Sequence, residues 1–415
     1  MTTHNDIAVL RGLAQRYAEI AALPVQEEKR KMWSDHNDLK PTRVPIIASF
    51  GMWNVWAREV FCDANMKCQD PFYRQYERTL RQWIFQHEEI GDDTIQEPWI
   101  GYRVPDKKVG GGLWGIEAEL YRPSGAQDGS AARYNPPLKS WDDVARLRMP
   151  RHELDEEAGQ RDLDKLHSAI GGILTIDVCR MPACSWFSAD ISTNIAKLRG
   201  LEQLMADMYD SPKELHNLLA FMRDGIMKNQ QEAEDAGHYT LTCAASQQPS
   251  YTNGLERLKP NSGPRKRKNI WGVCAAQEYE LISPAFHDEF LFQYQIPIFK
   301  NYALLHYGCC ENLGEKINML RQLKNLRTIA VAPLANVRRC AEQIQRDYVL
   351  SWRPNPTDMV CCGYNEERVE KIVRKAMDDS AGCVTHINLK DVETLEGDIT
   401  RLKRWVRKVR QVTEK

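Results

Sequence analysis

Tyr302-Ala303-Leu304-Leu305-His306-Tyr307-Gly308-Cys309-Cys310-Glu311 begins apolar and ends in an imidazole, a glycine, two thiols and a carboxylate. The apolar run is too short for a helix and is bounded by turn chemistry, so it reads as a buried strand. A strand interior could not satisfy that many polar groups, which places its end at a pocket. His and Cys suit zinc, and three protein ligands beside one open position make the catalytic arrangement. The plainer reading is that the imidazole and a thiol simply pack, since free Cys is among the most buried residue types.

Outward from this stretch the chain alternates regularly. Tyr302–Tyr307 precedes a helical pattern over 314–322, Thr328–Ala332 one over 336–345, and Tyr348–Trp352 one over 365–378. Cys383–Leu389 then precedes a basic helix over 397–412. Strand and helix in alternation predict βα units on a parallel sheet. Upstream strands near 45, 174, 241 and 276 bring the count to eight, the number of a (β/α)8 TIM barrel with its function at the C-terminal strand ends. Residues 1–40 read as an N-terminal helical extension and residues 41–415 as the barrel. The glycine-rich, polar segment 103–137 reads as an inserted hairpin or flap, either a lid over a pocket or a surface or dimer-contact arm. Ser211-Pro212 and Ser283-Pro284 carry helix-start signals.

With 42% hydrophobic and 27% charged residues, the chain has an ordinary globular composition. Its net charge of −1 gives no field for nucleic acid or anionic lipid. No apolar run is long enough to span a membrane. Twelve cysteines without a regular framework, and no charged-then-apolar leader, predict a reducing cytoplasm. The basic run Arg265-Lys266-Arg267-Lys268 reads as a solvated loop, with a phosphate-bearing cofactor or an acidic partner as the sharper alternative.

In a barrel, the strand ends bring Trp53, Asp177, Arg180, Gln277, Glu278, His306, Cys309, Cys310, Arg353, Asn355 and His386 to one mouth. His386, on the last strand, supplies a second imidazole to meet His306 and one thiol. Adjacent cysteines do not easily bind one metal together, so one of Cys309 and Cys310 is the expected ligand. Glu311 is a further ligand, a general base, or a solvated or helix-capping carboxylate. Trp53, Trp56, Trp99 and Tyr251, with Asn253 beside the last, suit a flat or methylated small-molecule substrate or else belong to the core.

Arg43-Val44-Pro45-Ile46, Pro137-Leu138-Lys139-Ser140-Trp141-Asp142-Asp143, His306-Tyr307-Gly308-Cys309-Cys310-Glu311, Asn325-Leu326-Arg327 and Ser351-Trp352-Arg353-Pro354-Asn355-Pro356 together resemble the uroporphyrinogen decarboxylase superfamily. The resemblance covers most of residues 30–410 and implies a (β/α)8 barrel, often a homodimer. That superfamily holds two chemistries. Its porphyrinogen decarboxylases need no metal and use an arginine-rich first loop with an aspartate, whereas Phe50-Gly51-Met52-Trp53-Asn54-Val55-Trp56 lacks that pattern. Its zinc-dependent methyltransferases work with a cobamide and carry a His-x-Cys-Gly motif with a distant Cys. Here His306 to Cys310 is similar, and His386 lies where the distant Cys would be.

The resemblance therefore implies a zinc-dependent methyltransferase with His306, Cys309, Cys310 and His386 as the metal set. The cobamide would sit on a separate corrinoid protein, because no Asp-x-His-x-x-Gly sequence occurs in the chain. Methoxylated aromatics, methylamines and thiols are the implied substrates. The rival readings are a metal-independent decarboxylase or lyase using Asp177 and Arg353, and a non-catalytic zinc-binding barrel.

Overall fold

The structure is a computed structural model, and it describes residues 2–48, 55–107, 110–122 and 132–414. Among the described residues there are ten strands: β1 (Ile46–Ala48), β2 (Trp99–Arg103), β3 (Glu119–Tyr121), β4 (Arg133–Asn135), β5 (Thr175–Cys179), β6 (Trp271–Cys274), β7 (Leu304–Tyr307), β8 (Leu326–Val331), β9 (Val349–Trp352) and β10 (Val384–Leu389). Six form one parallel sheet in the order β1-β10-β9-β8-β7-β6, so the first strand lies beside the last. β2 and β5 form a second parallel pair, and β3 and β4 an antiparallel hairpin.

Among the described residues eight strands thus have parallel partners, six in one sheet and two in another, but one of them is not where the sequence pattern puts it. The run Thr240-Leu241-Thr242-Cys243 folds into a 3-10 turn over Leu241–Cys243, with the Thr240 amide bonded to the Cys243 thiol. The eighth parallel strand is instead β2, a half-exposed segment that follows Pro98. Among the described residues no ladder joins β5 to β6. The Val178 amide bonds the Asn261 side chain, and Ala245 N–H bonds Trp271 O, so loops satisfy both edges.

The six-stranded sheet has two unlike faces. Leu305, Tyr307, Ile329, Val331, Leu350, Trp352, Ile387 and Leu389 point into the main hydrophobic core. The alternate positions are His306, Thr328, Ser351, His386 and Asn388, all fully buried. Register aligns His306 with Thr328 and His386 with Ser351, so these polar side chains share one face. Two helices, α1 (Thr2–Ala21) and α2 (Pro24–Asn37), open the chain. α2 is no detached extension. Its Trp33 is fully buried and donates from Nε1 to Asp93 O, and its Asn37 and His36 reach the polar face.

β3 and β4 pair as the hairpin expected within the flap, and residues 108, 109 and 123–131 lie outside the described residues. The base of this segment is anchored rather than loose. Trp114 is buried against Gly225 of the helix Pro212–Asp235, where a Cβ would come within 2.9 Å of the indole. The basic run is a structural element. Arg267 is buried against Glu234, and Arg265 pairs with Glu256.

The two Ser-Pro helix starts also part ways. The Ser283 hydroxyl accepts from Phe286 N–H at 3.3 Å, whereas Ser211 makes no capping hydrogen bond. Ser283→Ala is expected to cost about 1 kcal/mol and Ser211→Ala only a few tenths, read as urea-unfolding midpoints at constant m. No helix is long and apolar enough to cross a membrane among the described residues.

Candidate active site

Strand β7 is short because Gly308 follows it at φ +100°, a conformation that turns the chain and leaves Cys309 and Cys310 beyond the strand end. Glu311 fixes this turn. Its carboxylate accepts the Cys309 and Ala276 amides, both at 2.8 Å, which ties the β7 loop to the β6 loop. Glu311 is buried and fully engaged in that role, so it is a loop clamp rather than a free base.

Cys310 is exposed, and its thiol faces the end of β10. Lys390 Nζ lies 3.2 Å from Cys310 Sγ, Asp391 Oδ2 is 3.7 Å from it, and Lys390 also pairs with Asp391. Cys309 Sγ is 3.6 Å from Cys310 Sγ. The neighbouring thiol hydrogen bond, then the ammonium charge, bring the Cys310 thiol down to about 7. The same contact with Cys310, together with burial, pushes Cys309 the other way. Cys309 is therefore the thiol that keeps its proton. Lys390 and Asp391 were not anticipated, although they stand at the end of the last strand by the rule that selected His306.

Behind the thiols lies a buried polar chain. Arg353 is fully buried just past β9, bonding the Cys309 carbonyl and, at 2.9 Å, His306 Nε2. A guanidinium can only donate, so His306 Nε2 accepts and its Nδ1 carries the hydrogen, which goes to Gln248 Oε1 at 2.8 Å. Burial and the Arg353 charge drive His306 well below its ordinary value, so the ring is neutral. His386 Nδ1 meets His36 Nε2 of α2 at 3.2 Å. Burial lowers His386 strongly and His36 to about 3. His386 Nε2, Ser351 Oγ, Asn388 Oδ1 and Gln247 Oε1 have no protein partner among the described residues. Buried atoms of this kind are satisfied by ordered water or by a ligand.

The expected zinc set does not fit this arrangement. One nitrogen of His306 faces a cation and the other Gln248, while His386 is paired with His36 rather than with a thiol. Among the described residues no group of three His, Cys, Asp or Glu side chains could hold a metal ion. Purified without chelators, the protein should therefore carry less than about 0.1 equivalent of zinc by elemental analysis, against about one for a three-ligand site.

The other expected site residues divide clearly. Asp177 is buried on β5 and accepts the Asn261 amide, which leaves it bound to a loop rather than joined to Arg353. Tyr251 is buried with Trp33 and Ile47 and donates to Glu97, and Asn253 bonds Asp38 of the segment after α2. Both serve the packing of α2. Trp99 opens β2 and is half-buried, Asn355 caps the turn Pro356–Met359, and Trp53 lies outside the described residues. Glu278 follows β6, accepts from the Ser192 hydroxyl at 2.8 Å, and lines a cavity.

Fold and site together define a parallel α/β protein with a polar sheet face and a thiol–ammonium–carboxylate group at the strand ends. No family model matches the chain, and no curated protein matches it. Twenty-two solved chains match its structure. Among them is a methyltransferase from Methanosarcina mazei, 10% identical, with a TM-score of 0.51 over 91% of this chain and 98% of that one. That likeness is one of fold.

Proposed function

We propose that the protein is a methyltransferase whose reacting centre is Cys310 with Lys390 and Asp391. The observation that carries this reading is the exposed Cys310 thiol 3.2 Å from a nearly buried ammonium, at the C-terminal strand ends where parallel α/β barrels place their chemistry. The fold likeness to a methyltransferase supports it. In this reading the eight parallel strands form one barrel wall, interrupted beside β2 and β5 by loops. The methyl group moves between a small substrate and a cobamide on a separate protein, which supplies the methyl-carrying cobalt.

The residues of this chain then manage the proton. A thiol near neutrality can both take and give one, which is the property a general acid–base needs at physiological pH. When a thiol acceptor enters, the Cys310 thiolate removes its proton and Lys390 holds the resulting thiolate by charge. When an amine or alkoxide leaves, the Cys310 S–H returns a proton to that nitrogen or oxygen. Asp391 positions the ammonium, and Arg353 keeps the Cys309 carbonyl and His306 fixed beneath. The test is to mix the protein with methylcobalamin and thiol acceptors, or with cob(I)alamin and methyl donors, and follow the corrinoid spectrum.

A further inference from the structure

A cavity of about 640 Å³ lies between the β3–β4 hairpin and the helix Ser192–Arg199. The buried cation of its lining, Arg199, is taken up by Asp207 at 2.7 Å, and the charges left over differ in exposure. At the inner end stands Glu278, half-buried and held on one oxygen by the fully buried Ser192. Around the opening stand Arg133, Lys139 and Lys197, all exposed, against a single exposed carboxylate, Glu202. Arg133 has no ion pair among the described residues, and Lys197 Nζ lies 5.4 Å above the Tyr134 ring. Lys139 Nζ is held at 2.6 Å by Asn135 Oδ1, which spends one of its three hydrogens.

A ligand with one charge would oppose one end of this gradient. A zwitterion with a cationic head inside and a carboxylate at the rim matches both, and complementary charge fixes orientation as well as affinity. Glu278 sits after β6 and Cys310 after the neighbouring strand β7, so both stand at the C-terminal ends of adjacent strands.

We infer that this cavity binds a betaine, a methylated ammonium joined to a carboxylate, with the ammonium at Glu278 and the carboxylate at Arg133 and Lys197. The inference rests on the methyltransferase reading only in making that betaine the methyl donor. In that role the nitrogen keeps the electron pair of the broken C–N bond, loses CH3 to the corrinoid carrier and departs as a neutral tertiary amine, which takes its proton from water.

Calorimetric titration without any corrinoid tests the site by itself. Three probes serve: 4-(trimethylammonio)butyrate, the cation-only tetramethylammonium, and 5,5-dimethylhexanoate, which has carbon in place of nitrogen. The zwitterion is expected to bind at least about tenfold more tightly than either control. Glu278→Gln should weaken the zwitterion about tenfold and leave 5,5-dimethylhexanoate unchanged. The Arg133→Ala/Lys197→Ala double variant, both positions being exposed, should weaken the two carboxylates and spare tetramethylammonium. Equal binding of all three, no binding by folded protein, or indifference to Glu278→Gln would overturn the inference. Binding as expected without methyl transfer would leave the site standing and refute the methyltransferase reading. Methyl transfer from other donors without zwitterion binding would refute the site alone.

Discussion

Arg353→Ala is expected to lower the unfolding free energy by about 3 kcal/mol or more, one of the two largest effects the structure implies. The guanidinium is fully buried and is the hydrogen-bond donor to both the Cys309 carbonyl and His306 Nε2. Removing it opens a void and strands two buried acceptors, each costing about 1–3 kcal/mol. It also takes away a positive charge that acts on the Cys309–Cys310 loop and the Glu311 carboxylate. Arg353→Met, which keeps the stem, should recover the cavity part and not the polar part. Urea titration of both variants checks this, and a loss under 1 kcal/mol for Arg353→Ala would mean the polar chain is not part of the scaffold.

The second large effect concerns Cys310. Its alkylation by iodoacetamide should rise with pH through about 7, because the thiolate is the reactive form and contacts with Cys309 and Lys390 stabilise it. A group held low in the folded state gains charge above its folded value, so reactivity is lost as pH falls below that point. Lys390→Met removes the ammonium, moves the midpoint part of the way up toward the ordinary cysteine value of about 8.5, and lowers the rate at pH 7 by roughly threefold. Cys309→Ser tests the other contact and should shift the midpoint in the same direction. Peptide mapping of the alkylated cysteine assigns the signal, since Cys362 is exposed as well.

Much of the fold could be read in advance because the strands from β7 to β10 are buried on both faces and separated by short helices. Their apolar positions announced a parallel sheet, and His306 and His386 were found because a polar residue in such a run stands out. Two strand positions misled for identifiable reasons. Thr240 to Cys243 has β-branched residues, yet the Thr240 amide and hydroxyl bond the Cys243 thiol and close a turn. Trp99 to Arg103 alternates around a glycine after Pro98, which hid a real strand.

The site was legible only in part. Cys309, Cys310 and Arg353 were picked out at strand ends, and the structure brings them together. His306 and His386, expected as metal ligands, are buried on the polar sheet face, where their partners depend on long-range packing. Arg353 arrives from β9, Gln248 from the loop before β6, and His36 from a helix read as an extension. Lys390 and Asp391 carried a readable signal, being the first polar residues past the last strand. Local pattern could not show which way their side chains turn, and that orientation is what makes Cys310 reactive.

The most direct measurement is corrinoid spectroscopy on the wild-type protein and its Cys310→Ser variant. Each is incubated with cob(I)alamin and methylated donors, including 4-(trimethylammonio)butyrate, methoxylated aromatics and methylamines, and with methylcobalamin and thiols. The account predicts conversion between cob(I)alamin and methylcobalamin with at least one pair, unchanged by a chelator. It also predicts a rate at least about a hundredfold lower in Cys310→Ser, the low end of what a positioned acid–base contributes. No conversion with any pair, with corrinoid proteins supplied as carriers, or full activity in Cys310→Ser, would contradict it.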